Sequence, residues 1–195
     1  MNEFYMYLKL GMGHILDIQG YDHILFILAL CAIYVAGDWR KIFILVTAFT
    51  VGHSVTLALA TFRVLNIDPD LIEMLIPATI FVTALSNIFR SRSTRKAAYI
   101  NNNYLLALFF GFIHGMGFSN YLRALLGKDA TVLKQLFAFN LGLEVGQIII
   151  VSIFMLISFI SISILGVKQR DWRLVMSSTI AGIALMLIVQ SNYWN

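Results

Sequence analysis

Apolar segments long enough to cross a bilayer follow one another along this chain with only short polar turns between them. That succession constrains the fold more than any single motif. A hydrocarbon core about 30 Å thick takes roughly 20 residues of α-helix, whose backbone groups all pair within the segment. Spanning helices are expected at 20–37, 41–62, 71–89, 103–125, 135–165 and 173–190. The last but one exceeds what a bilayer requires, so it tilts or extends into the cytoplasm. Composition agrees, with 59% hydrophobic residues, 12% charged residues and a mean hydropathy of +0.82, whereas soluble domains carry about one quarter charged residues. Lipid is the solvent this chain implies.

Residues 3–17 precede the first span. Phe4, Tyr5, Tyr7, Leu8, Leu10, Ile15 and Leu16 stand among polar positions there, as in a helix that lies in the headgroup region. Glu3 comes before Lys9 with no basic leader and no small-residue cleavage site, so this segment is expected to stay in the mature protein. Turns are marked by Gly37-Asp38, Asp68-Pro69-Asp70 and Gly127-Lys128-Asp129. No linker is long enough to separate two domains. The expectation is an all-α, polytopic membrane helix bundle formed by a single membrane domain over 1–195, with an interfacial segment at 1–19.

The net charge of +4 does not describe a nucleic-acid binder, because the basic residues form short clusters between apolar segments, as at Arg90, Arg92, Arg95 and Lys96. Loops facing anionic headgroups look like this. Loops after the first, third and fifth spans hold nine Lys and Arg, and the opposite side holds five. The richer side is then cytoplasmic, which leaves both termini outside in a multi-pass protein of the inner cell membrane. Cys31 is the single cysteine, so neither an intrachain disulfide nor a CxxC motif exists.

Two halves share a pattern. Gly20-Tyr21-Asp22-His23 is similar to Gly111-Phe112-Ile113-His114, and Ala48-Phe49-Thr50-Val51-Gly52 to Ala138-Phe139-Asn140-Leu141-Gly142. A weaker match pairs Thr79-Ile80 and Ala84-Leu85 with Thr179-Ile180 and Ala184-Leu185. Repeats at 20–89 and 103–190 follow. Three helices per half is an odd number, so the second half enters from the opposite side, the inverted arrangement of many secondary transporters.

Ionisable groups are costly at membrane depth and face the bundle interior when present. All four histidines lie in or beside apolar segments: His14 at an edge with Asp17 a turn later, His23 next to Asp22 at the opening of the first span, His53 mid-way along the second and His114 mid-way along the fourth. Glu144 is well inside the fifth. Helical spacing aligns Thr50, His53, Ser54 and Leu57 on one face, Thr79, Thr83 and Asn87 on another, and Asn140, Glu144 and Gln147 on a third. Imidazole with carboxylate and amide oxygen suits divalent Ni, Zn, Co or Cu, and the lack of thiolate clusters argues against Cu(I). Asp17, Asp22 or Glu144 is available to take the second ring nitrogen of a ligating histidine. The Ser, Thr and Asn positions read better as hydrogen bonds between helices. Gly111 and Gly115, four apart, read as a close-packing surface.

At these residues the chain resembles the HupE/UreJ family of membrane proteins. The resemblance is carried by Gly13-His14-Ile15, Gly20-Tyr21-Asp22-His23-Ile24-Leu25-Phe26, Phe49 to Leu57, Gly111 to Phe118 and Phe139 to Gln147. It implies a nickel or cobalt permease, or an accessory protein beside hydrogenase or urease. The metal residues it implies are His14, Asp22, His23, His53, His114 and Glu144. On a continuous helix His14 would be rotated away from the His23 face.

The leading function is a divalent transition-metal permease of the nickel, cobalt or zinc class. Its partners are then the metal ion and the lipid bilayer, with a homo-oligomer or a metalloenzyme maturation partner compatible with it, and no nucleic acid. An intramembrane metal-dependent hydrolase is the alternative, with zinc-bound water at His23, His53 and His114 and Asp22 or Glu144 as base. Against it stands the absence of HExxH or any paired-histidine helix motif. A non-transporting accessory subunit is the third class. No catalytic residue is assigned, since Ser54 beside His53 points about 100° away from it.

Overall fold

The computed structural model describes residues 2–62, 64, 65, 67–90, 96–118 and 132–194, with side chains at all of these except 96–102 and 192. Regular structure among these residues is helical throughout. Seven α-helices follow in order: α1 (Glu3–Ile15), α2 (Asp22–Cys31), α3 (Trp39–Thr61), α4 (Pro69–Ile88), α5 (Lys96–Gly117), α6 (Val132–Phe159) and α7 (Gln169–Gln190). A π-turn, Ile160–Ile164, extends α6. Arg63, Arg92, Arg95, Arg123, Lys128, the turn at Gly127 and the end of the expected span 103–125 lie outside the described residues.

Local chemistry sets the helix ends. Asn2 caps α1 by accepting from the Phe4 amide, and Asp68 caps α4 by accepting from the Asp70 amide, with Pro69 in the first turn where no amide partner is needed. Gly166, at φ +72, closes the turn between α6 and α7 in the left-handed region. Four stretches are long and apolar enough to cross a membrane: Ala36–Thr61, Pro69–Ile88, Val132–Ile164 and Gln169–Gln190. The 33 residues of Val132–Ile164 span about 50 Å at 1.5 Å per residue, in line with the excess length expected there. Its outer face, including Phe137, Leu141, Ile148 and Leu156, is exposed; an apolar face of that length has lipid as its natural partner.

The segment expected as a first span at 20–37 is different. Only Asp22–Cys31 is α-helical, ten residues or about 15 Å, half the hydrocarbon thickness. Beyond it Tyr34 donates to the Cys31 carbonyl and Val35 is extended, leading into a short 3-10 turn. The amino-terminal segment does form a helix, and that helix is docked in the bundle as well as amphipathic.

The most extensive packing joins α3 to α5, α1 to α6 and α4 to α7. Glycines allow the first two pairs to touch backbone to backbone. A Cβ on Gly111 would overlap the Phe49 carbonyl oxygen, one on Gly115 the His53 carbonyl and one on Gly52 the Leu108 carbonyl. Between α1 and α6, Gly11 meets the Phe139 carbonyl and Gly142 the Leu8 carbonyl in the same manner. Close approach through small residues is how helices gain contact where lipid removes the hydrophobic drive to associate.

Candidate metal site

Helix α1 ends at Ile15 and α2 begins at Asp22, so the chain turns between them and does not continue as one helix. That turn brings His14 back against His23, with ring centroids 4.6 Å apart. His53, from the middle of α3, stands 6.0 Å from His23 and 6.2 Å from His14 by centroid. The three offer ligand atoms that all lie within 4.8 Å of one another. A four-coordinate ion with nitrogen ligands at about 2.0–2.1 Å holds them roughly 3.4 Å apart, so closing the trio on an ion takes a shift on the order of 1 Å.

Hydrogen bonding leaves the right atoms bare. Asp22 Oδ1 is 2.9 Å from His23 Nδ1 and also accepts from the His23 amide at 2.8 Å. With Nδ1–H directed at the carboxylate, His23 presents the lone pair of Nε2, the carboxylate–histidine pairing that orients a ligand and raises its basicity. Buried and without a hydrogen-bond partner are His14 Nε2, His23 Nε2, both nitrogens of His53, and His114 Nδ1. Unpartnered buried polar atoms are expensive; since one His53 nitrogen carries N–H in the neutral ring, at most four of these five offer lone pairs, and a cation is a partner that suits them.

His114, on α5, is the fourth histidine, its ring 5.3 Å from that of His23. The Thr79 hydroxyl donates to the Ile76 carbonyl at 2.7 Å. In that arrangement its lone pairs accept from His114 Nε2–H at 3.0 Å, which places the free lone pair on Nδ1. Phe26 and Phe49 flank the His114 ring at 4.8 and 5.2 Å, and Phe118, stacked on Phe139, lies 3.8 Å from His14. This aromatic wall lowers the local dielectric and strengthens any charge interaction inside it.

A cavity of about 450 Å³ adjoins the cluster, lined by His14, Asp17, Asp22, His23, Glu73 and His114 among others. His53, fully buried, is not among the residues that line it. Of the six residues expected from sequence, His14, Asp22, His23, His53 and His114 are thus gathered. Glu144 is half-buried on α6 and is not part of the cavity wall. The hydroxyls of Ser54 and Thr83 bond to carbonyls one turn earlier, and Asn87 donates to the Ala29 carbonyl, so these polar positions serve the bundle. Glu73 is the residue the sequence reading missed. Its signal was available: it is the one acid in the apolar stretch 71–89 and stands four residues before Pro77.

Among known proteins, the family model described as HupE / UreJ protein matches residues 1–194. No curated protein and no solved structure matches the chain.

Proposed function

The chain belongs to the HupE/UreJ family, and from that premise we propose that it is a permease for a divalent transition metal of the nickel, cobalt or zinc class. The family is associated with nickel or cobalt transport, or with accessory roles for urease and hydrogenase. The observation that carries the reading is the trio of buried imidazoles, His14, His23 and His53, delivered by three separate helices with bare ligand atoms within 4.8 Å of one another. Neutral imidazole nitrogens suit borderline divalent ions, and the metal is cargo here. Asp22 supplies negative charge beside the trio, and His114 adds a fourth nitrogen next to it.

Glu144 enters the same proposal as the carboxylate that α6 offers. It shares a stripe of α6 with Asn140 and Gln147, whose Oδ1 and Nε2 are buried without partners. The Thr50 hydroxyl, on the α3 turn before His53, reaches Gln147 Oε1 at 2.7 Å.

Two inverted halves are part of the same proposal, and the glycine contacts support it in a particular register. Leu8, Gly11 and His14 stand 100 positions before Leu108, Gly111 and His114, while Phe49 and Gly52 stand 90 before Phe139 and Gly142. Gly11 against Phe139 is then the counterpart of Gly111 against Phe49, and Gly142 against Leu8 that of Gly52 against Leu108. In this register α1 is the counterpart of α5, and His14, not His23, is the counterpart of His114.

Protein reconstituted in liposomes enclosing a metal-sensing dye is expected to pass Ni²⁺, Co²⁺ or Zn²⁺ and to release no fatty acid from the lipid. Metal binding without flux would make it an accessory subunit, and metal-dependent lipid cleavage without flux would make it a hydrolase.

Orientation completes the proposal, with the α2–α3, α4–α5 and α6–α7 connections on the cytoplasmic side. In a Cys31→Ala background, Val64→Cys is expected to react with a membrane-impermeant maleimide in intact cells and Val167→Cys only after lysis. The opposite labelling pattern would invert the topology.

A further inference from the structure

A second cavity of about 330 Å³ lies beside the first, lined by Gln19, Tyr21, Gln190 and Ser191 among others. The two cavities share three lining residues, Gly20, Asp22 and Glu73. The boundary between the two cavities, the neck, therefore carries two carboxylates. Among the described residues, the charged side chains that line either cavity are Asp17, Asp22 and Glu73.

Glu73 is exposed near the start of α4 and makes no hydrogen bond or ion pair among the described residues. Pro77, four residues on in the same helix, lines the second cavity. Lacking an N–H, it cannot take up the Glu73 carbonyl as a regular helix would. Beyond the neck, the first cavity is walled by His23 and His114, buried to 4% and 0% exposure, with His23 Nε2 and His114 Nδ1 unpartnered. Asp22 and Glu73 thus line the same cavity as the bare imidazole nitrogens of His23 and His114.

We infer that Glu73 forms an outer station for a partly hydrated divalent cation at this neck, from which the ion passes Asp22 to the histidines. Carboxylate and carbonyl oxygens bind such an ion while it keeps part of its water, and imidazoles replace that water deeper in. A cleft lined by one sign of charge also raises the local cation concentration and the on-rate. The inference deepens the permease reading and rests on it for the ion's destination.

Titration of the purified protein with Co²⁺ chloride, combined with Co²⁺ flux in liposomes, tests it. The wild type is expected to bind a tight and a weaker ion. Glu73→Gln should lose the weaker event, keep the tight one and raise the half-saturating Co²⁺ concentration for flux by about tenfold or more. Glu73→Asp should restore much of both, which separates lost charge from lost structure. Glu73→Gln with both binding events and the flux curve unchanged would overturn the station and leave the permease standing. Loss of the weaker event in Glu73→Gln, in a wild type that passes no ion, would keep the station and overturn the permease.

Discussion

His53→Ala is expected to weaken binding of Ni²⁺, Co²⁺ or Zn²⁺ by more than about 100-fold, because groups that merely support a ligand already account for 10- to 100-fold. His53 is the most deeply placed of the trio, with both ring nitrogens buried and unpartnered. Removing it takes one nitrogen from the trio, leaving His14 and His23 with His114 beside them, and no other described imidazole takes its place on α3. Ser158→Ala serves as the control, being a change at a buried polar position elsewhere on the bundle. Calorimetric titration reads the outcome. Equal affinity in His53→Ala, Ser158→Ala and wild type would return the histidines to a purely structural role.

Gly111→Ala and Gly182→Ala are expected to change thermal stability in opposite directions although both place a methyl group on a helix. At Gly182 a Cβ meets nothing within 4 Å, so alanine gains the helix-propensity difference of about 0.5–1 kcal/mol. At Gly111 the same atom overlaps the Phe49 carbonyl and crowds the His53 amide. Backbone cannot swing aside as a side chain does, and overpacking of that kind costs about 1–3 kcal/mol or more. Unfolding in detergent should therefore occur at lower temperature for Gly111→Ala and slightly higher for Gly182→Ala. An unfolding temperature unchanged or raised in Gly111→Ala would mean that α3 and α5 are not in backbone contact.

Much of this bundle was legible because lipid imposes a simple code. Four stretches at 41–62, 71–89, 135–165 and 173–190 correspond to helices with ends within a few residues, since unbroken apolar length is hard to use otherwise. The candidate site was legible for the complementary reason, that imidazoles and carboxylates stand out where water is scarce. What failed was continuity. Hydropathy does not distinguish a span from the pair α1 and α2 with a break at Leu16 to Tyr21, and the break decides whether His14 faces His23 or turns away from it. Register was hidden too: a Gly and His spaced alike at Gly20 and at Gly11 compete as partners for Gly111, and only the carbonyl each glycine touches separates them. Glu73 escaped notice because one acid near a helix start is ordinary; its meaning comes from Pro77 and from two cavities that meet beside it.

For the proposed permease, the glycine-packed pairs also bear on how an ion would leave. The members of each pair, α3 with α5 and α1 with α6, are in backbone contact that leaves no slack for sliding. His53 and His114 ride on the first pair and His14 on the second. An opening that swings the two pairs apart as rigid bodies would separate His14 from His53, and an ion held by the trio would lose one of its three nitrogens. Affinity would then drop through geometry alone, with no ligand having to take up a proton for the metal to go.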